Sequence, residues 1–151
     1  MATINATISV NSDIMSYPIN INTSMVMNKF QSCHGLEETS GMNVKKFNAR
    51  TTTVVIDDTE GTAGKASKVY MRNTGSSKTN FFYVTLHNAD LDYTSDSSND
   101  ISATTTETIG KLYGGDWMLI PWIATAGTTH SFVVAPNTTE EMTLEWMVFQ
   151  E

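Results

Sequence analysis

Cysteine is almost missing. Cys33 is the only one in 151 residues, so no disulfide can close within the chain and thiolate zinc clusters are excluded. Positive charge is also scarce. Nine Lys and Arg stand against sixteen Asp and Glu, a net charge of -7. Nucleic-acid affinity comes mostly from Lys and Arg neutralising phosphates, so no nucleic-acid partner is expected, and no anionic membrane surface. No apolar run approaches the roughly 20 residues of a membrane-spanning helix. The opening Met-Ala-Thr-Ile-Asn has neither the basic nor the apolar part of a secretory signal, so a soluble chain made in the cytoplasm is the expectation. Strong helix formers are few: Leu occurs six times and Ala ten.

Small polar residues take their place. Thr (23), Ser (14) and Asn (12) make up 49 of the 151 residues. Abundant β-branched and turn-forming residues with few helix formers point to an all-β protein of short strands and polar turns. The length suits one domain, or a domain plus an arm, and folding at this size hides about 70% of the unfolded surface.

Alternation locates the strands. Ile4, Ala6, Ile8 and Val10 share one face opposite Thr3, Asn5, Thr7 and Ser9. After a turn at Asn11-Ser12-Asp13, Ile19, Ile21 and Thr23 alternate with Asn20, Asn22 and Ser24, and Pro18 suits a strand start or an edge. Residues 27–50 are less regular and read as loops or an extended arm, with a short strand over Met42 to Phe47 as one reading. Further strands are expected at Thr51 to Ile56, Lys68 to Asn73, Phe81 to His87, Glu107 to Leu112, Trp117 to Trp122, His130 to Ala135 and Met142 to Phe149. Phe81 to His87 is apolar on both faces, as in a strand inside a sandwich. The expected fold is one all-β domain over 1–151, a β-sandwich or jelly roll of about eight strands. Residues 1–48 would give an extended N-terminal segment and 49–151 the sandwich core.

Each motif with chemical potential has a plainer alternative. Gly61 to Ser67 resembles a phosphate loop but lacks the glycine spacing and carries Ala66 where Ser or Thr is required, so a turn is expected. Asp90, Asp92, Asp96 and Asp100 could offer oxygens to calcium, joined by Asp57, Asp58 and Glu60 if the loops met, but a solvated acidic loop needs no metal. His34, His87 and His130 have no metal-ligand spacing, and Cys33 and His34 are adjacent and so point apart on an extended chain. No catalytic residue, metal or cofactor is expected. Asn5, Asn22 and Asn137 match the glycosylation acceptor pattern, which a Thr- and Asn-rich chain produces without purpose. Trp117, Trp122, Trp146, Phe81, Phe82 and Tyr83 could make a sugar-stacking platform, with core packing as the ordinary role.

One stretch is distinctive. Ile109-Gly-Lys-Leu-Tyr-Gly-Gly-Asp-Trp-Met-Leu-Ile-Pro-Trp122, the closing Met142-Thr-Leu-Glu-Trp-Met-Val148 and the strand Lys68-Val-Tyr-Met-Arg-Asn73 together resemble small virion structural proteins of tailed phages, especially marine cyanophages. The resemblance covers residues 66 to 151, apart from the acidic excursion Asn88 to Thr106. It implies a non-enzymatic decoration or cement protein on the outside of a phage head, located in the virion. The implied partners are the major capsid protein or another virion protein, and copies of itself, a trimer among them. A tail, neck or fibre-associated protein is the alternative, and a carbohydrate-binding module is an alternative of another class. Glycines at Gly114-Gly115-Asp116 suit a tight hairpin-like turn, with Leu112, Trp117, Leu119 and Trp146 buried across the sandwich. Ile4, Ile8, Val10, Ile19 and Ile21 are the candidate partner-binding residues, able to join a neighbouring subunit by strand addition.

Overall fold

The computed structural model describes residues 4–12, 19–27, 38–57, 60, 66–88, 106–123 and 130–151. These form eleven strands and three sheets. The chain divides into two compact units, with the boundary between Glu38 and Thr39.

The first unit holds β1 (Ile4–Ser12) and β2 (Ile19–Met27), paired antiparallel as a ribbon from Ile4 opposite Met27 to Ser12 opposite Ile19. Directly opposed residues share a face. Ile4, Ala6, Ile8 and Val10 therefore lie on the same side as Ile21, Thr23, Met25 and Met27. Asn5, Thr7, Ser9 and Asn11 share the other side with Asn20, Asn22, Ser24 and Val26. The alternation read in the sequence over 4–10 and 19–24 agrees with this register, and Val26 is an apolar residue on the polar side.

The second unit is a β-sandwich. Its strands are β3 (Glu38–Thr39), β4 (Asn43–Phe47), β5 (Thr53–Ile56), β6 (Ala66–Asn73), β7 (Phe81–Asn88), β8 (Thr106–Tyr113), β9 (Trp117–Ile123), β10 (His130–Pro136) and β11 (Met142–Gln150). One sheet has the order β5-β10-β7-β8. The other runs β3-β11-β6-β9, with β4 also paired to β11. Each segment expected as a strand forms one, the short stretch before Phe47 included. The two-residue β3, which no periodicity announces, is added. β4 is hydrogen-bonded along β11 from Phe47 opposite Met142 to Asn43 opposite Trp146. β4 therefore begins six residues before the expected start of the core at 49 and carries Phe47 into it.

The core lies between the two sheets. Val69 and Met71 of β6 and Leu144 and Val148 of β11 meet Phe82 and Val84 of β7 and Phe132 and Val134 of β10. Phe47 meets Phe82 edge-on at 5.2 Å, and Trp122 meets Phe132 at 6.1 Å, so each ring pair bridges the sheets. β11 buries Met142, Leu144 and Val148 on one side, as its alternation predicts.

Two expectations need correcting. Gly114-Gly115-Asp116 is not a hairpin turn, because β8 and β9 belong to different sheets. It is a corner that carries the chain across the sandwich. Gly115 takes a φ of 88°, which favours glycine. A Cβ on Gly114 would sit 2.5 Å from the Ser77 carbonyl oxygen. Asn73, fully buried, ties the corner to β6: its Nδ2 donates to the Leu112 carbonyl at 3.0 Å, and its Oδ1 accepts from the Gly75 amide at 3.0 Å. Lys78 Nζ donates to the Gly114 carbonyl at 2.8 Å.

The second correction concerns β9. Leu112 is buried and Trp146 packs against the core, but Trp117 and Leu119 do not bury across the sandwich. β9 presents Met118, Ile120 and Trp122 inward, and Trp117 is 49% exposed on the outer face. The run Trp-Met-Leu-Ile-Pro-Trp-Ile is apolar at both phases, so periodicity alone cannot choose between them.

Candidate functional site

The ribbon places the candidate partner-binding residues together. Ile8 (41%), Val10 (45%) and Ile21 (51%) are exposed on its apolar side, with Met25 beside them, and Ile4 is half-buried on the same side. Ile19 is held in the ladder through its backbone, opposite Ser12. Neither strand contains a charged residue or a proline, and the register runs without a bulge. Those are the usual devices that keep strand edges from pairing with other chains. A two-stranded ribbon is marginally stable alone in water, so such a face gains from being covered.

No group of three or more His, Cys, Asp or Glu side chains that could hold a metal occurs among the described residues. Cys33, His34, Asp58, Gly61 to Lys65 and the acidic run Asp90 to Asp100 lie outside them. His130 is half-buried at the start of β10, with its Nδ1 unpartnered and its carbonyl accepting from Trp122 Nε1 at 2.8 Å. Asn137 is engaged in its own turn, where its Oδ1 accepts from the Phe81 amide at 2.8 Å and its Nδ2 donates to the Thr79 carbonyl at 3.1 Å.

The six aromatics do not form one platform. Phe82 and Trp122 are core residues, and Trp146 packs against the core. Phe81 and Tyr83 share the outer face of the four-stranded sheet with Tyr113. Phe81 lies 4.9 Å from Tyr83 and 5.0 Å from Tyr113. Lys111 lies over these rings, 4.6 Å from the centre of Phe81 and 5.4 Å from Tyr83.

The outer face of the five-stranded sheet carries a cluster that sequence reasoning did not find. Register aligns Trp117 of β9 with Arg72 of β6, Arg72 with Glu145 of β11, and Glu145 with Val44 of β4. In the adjoining row, Leu119 aligns with Tyr70 and Tyr70 with Met147. Tyr70 Oη donates to Glu145 Oε1 at 3.2 Å, and Arg72 Nη1 lies 3.4 Å from the same oxygen. The Glu145 side chain is 19% exposed and that of Arg72 47%. Burial pushes the Tyr70 hydroxyl above its ordinary pKa, the Glu145 carboxylate adds to the rise, and Arg72 opposes it. Arg72 and Glu145 are 73 residues apart, so only the β6–β11 register makes them neighbours.

No family model and no curated protein matches the chain. Among solved structures, the Yersinia pseudotuberculosis-derived mitogen is similar at 10% identity with a TM-score of 0.43, over 74% of this chain and 84% of that one.

Proposed function

We propose that the protein is a non-enzymatic structural component that fastens onto a larger assembly through its N-terminal ribbon. The observation that carries this reading is the exposed, uncharged apolar face formed by Ile8, Val10, Ile21 and Met25. A chain of net charge -7 keeps all of its charge out of these two strands, and an exposed apolar face without charge favours contact with another surface. The resemblance of residues 66 to 151 to tailed-phage virion proteins supports an assembly of that kind. In this reading the protein is a decoration or cement protein on the outside of the head. It binds the major capsid protein, clamps neighbouring subunits and works as a small homo-oligomer.

Quantitative mass spectrometry of purified particles tests this. A copy number comparable to that of the major capsid protein is expected. A low copy number moves the protein to the tail, neck or fibre, and absence from particles overturns the virion reading.

A further inference from the structure

We propose that the outer face of the five-stranded sheet, centred on Trp117, is a carbohydrate-binding site for a neutral polysaccharide. Four observations converge on it.

The indole of Trp117 is half exposed on an edge strand, so part of its ring system faces solvent. A flat aromatic surface is what the apolar C–H face of a pyranose ring covers when it leaves water. Directly opposite Trp117 stands the guanidinium of Arg72, with the Glu145 carboxylate next along the row and the Tyr70 phenol in the adjoining row. A vicinal pair of sugar hydroxyls offers donors and acceptors together, and an Arg–carboxylate pair answers both.

The polar groups are held in place before any ligand arrives. Glu145 is mostly buried and accepts from Tyr70 while facing Arg72, so little side-chain freedom is lost on binding. Their charges cancel, so this row favours a neutral ligand over a charged one.

The row also has length. Trp117 and Val44 are separated by three strand spacings of about 4.8 Å, or roughly 14 Å. A flat face of that extent suits the interior of a sugar chain better than a single terminal residue. Among the described residues, the surface aromatics Phe81 and Tyr83 lack this arrangement, because Lys111 already lies over them.

The test is a titration of the full chain, followed by intrinsic tryptophan fluorescence, with cellohexaose, chitohexaose and maltohexaose, together with binding to an array of bacterial surface polysaccharides. Saturable quenching is expected from at least one sugar, with a Kd of about 0.01–1 mM. Trp117→Ala should remove the signal. Trp117→Phe should weaken binding by about tenfold while keeping a ring, and Glu145→Gln by a similar factor. Circular dichroism establishes that each variant is folded. Trp146→Phe, within the core packing, should still bind.

No response from any sugar overturns the proposal, and so does quenching that survives Trp117→Ala. Quenching by purified phage heads but by no sugar also overturns it, and makes the face a protein-docking surface. Attachment through the ribbon uses different residues and is scored separately by copy number.

Discussion

The ribbon and the sandwich are built from the same kind of strand, yet their apolar faces meet different ends. In β11, Met142, Leu144 and Val148 alternate with outward residues and are buried, because a second sheet stands opposite. In β1, Ile8 and Val10 alternate just as regularly and stay exposed. Alternation therefore announces a face that needs a partner, without saying whether that partner lies in the same chain. The sandwich draws its stability from burial inside itself. The ribbon holds an equivalent face in reserve.

This contrast can be broken at graded points. The largest effect is expected from Phe82→Ala, which empties the centre of the core and should cost about 3–5 kcal/mol in denaturant unfolding. If the loss is under about 1 kcal/mol, the core does not lie where the two sheets meet. Next comes the corner. Gly114→Ala forces a methyl against the Ser77 backbone and should cost about 1–3 kcal/mol, and Asn73→Ala, which removes the bonds to the buried Leu112 carbonyl and to the Gly75 amide, a similar amount.

The ribbon should behave in the opposite way. Val10→Lys with Ile21→Lys is expected to leave the sandwich's unfolding free energy within about 0.5 kcal/mol of wild type. The same pair should weaken binding to purified heads at least tenfold. Deleting residues 1–26 should likewise leave a folded sandwich that no longer attaches. A truncated chain that fails to fold would show that the ribbon belongs to the folding unit.

A smaller effect is expected at high pH. The Tyr70 hydroxyl titrates above its ordinary value of 10.0 in the folded protein. The folded state then holds its proton longer than the unfolded state, so this contribution is fully present below pH 10 and is lost as pH rises through the folded pKa. Tyr70→Phe should flatten that alkaline decline, as followed by thermal melts at stepped pH. Smallest of all is Glu141→Gln, which breaks the exposed 2.8 Å pair with Lys46 and should change stability by about 0.5 kcal/mol or less.

The sequence made strand phase legible wherever one face was polar. β1, β2 up to Ser24, and β11 all follow their alternation. β9 does not, because Trp117 and Trp122 sit at opposite phases of a run that is apolar throughout. The corner was misread for a related reason. Gly114-Gly115-Asp116 supplies the backbone freedom that either a hairpin or a crossover needs, and only the partners of β8 and β9 separate the two. The row from Trp117 to Val44 could not be seen at all before the register was known. Its members come from four strands spread over about a hundred positions, and no local pattern joins them.

The position of β11 has a consequence for how the protein is made. The last strand of the sequence lies inside the five-stranded sheet, between β6 on one side and β3 and β4 on the other. That sheet cannot close until residue 150 has left the ribosome. The ribbon needs only residues 4–27 and can pair as soon as they emerge. During synthesis, then, two uncharged strands that pair only marginally on their own wait for most of a chain length before the sandwich exists. Slow translation, or a stall before β11, would leave nascent chains exposed to one another through their ribbons.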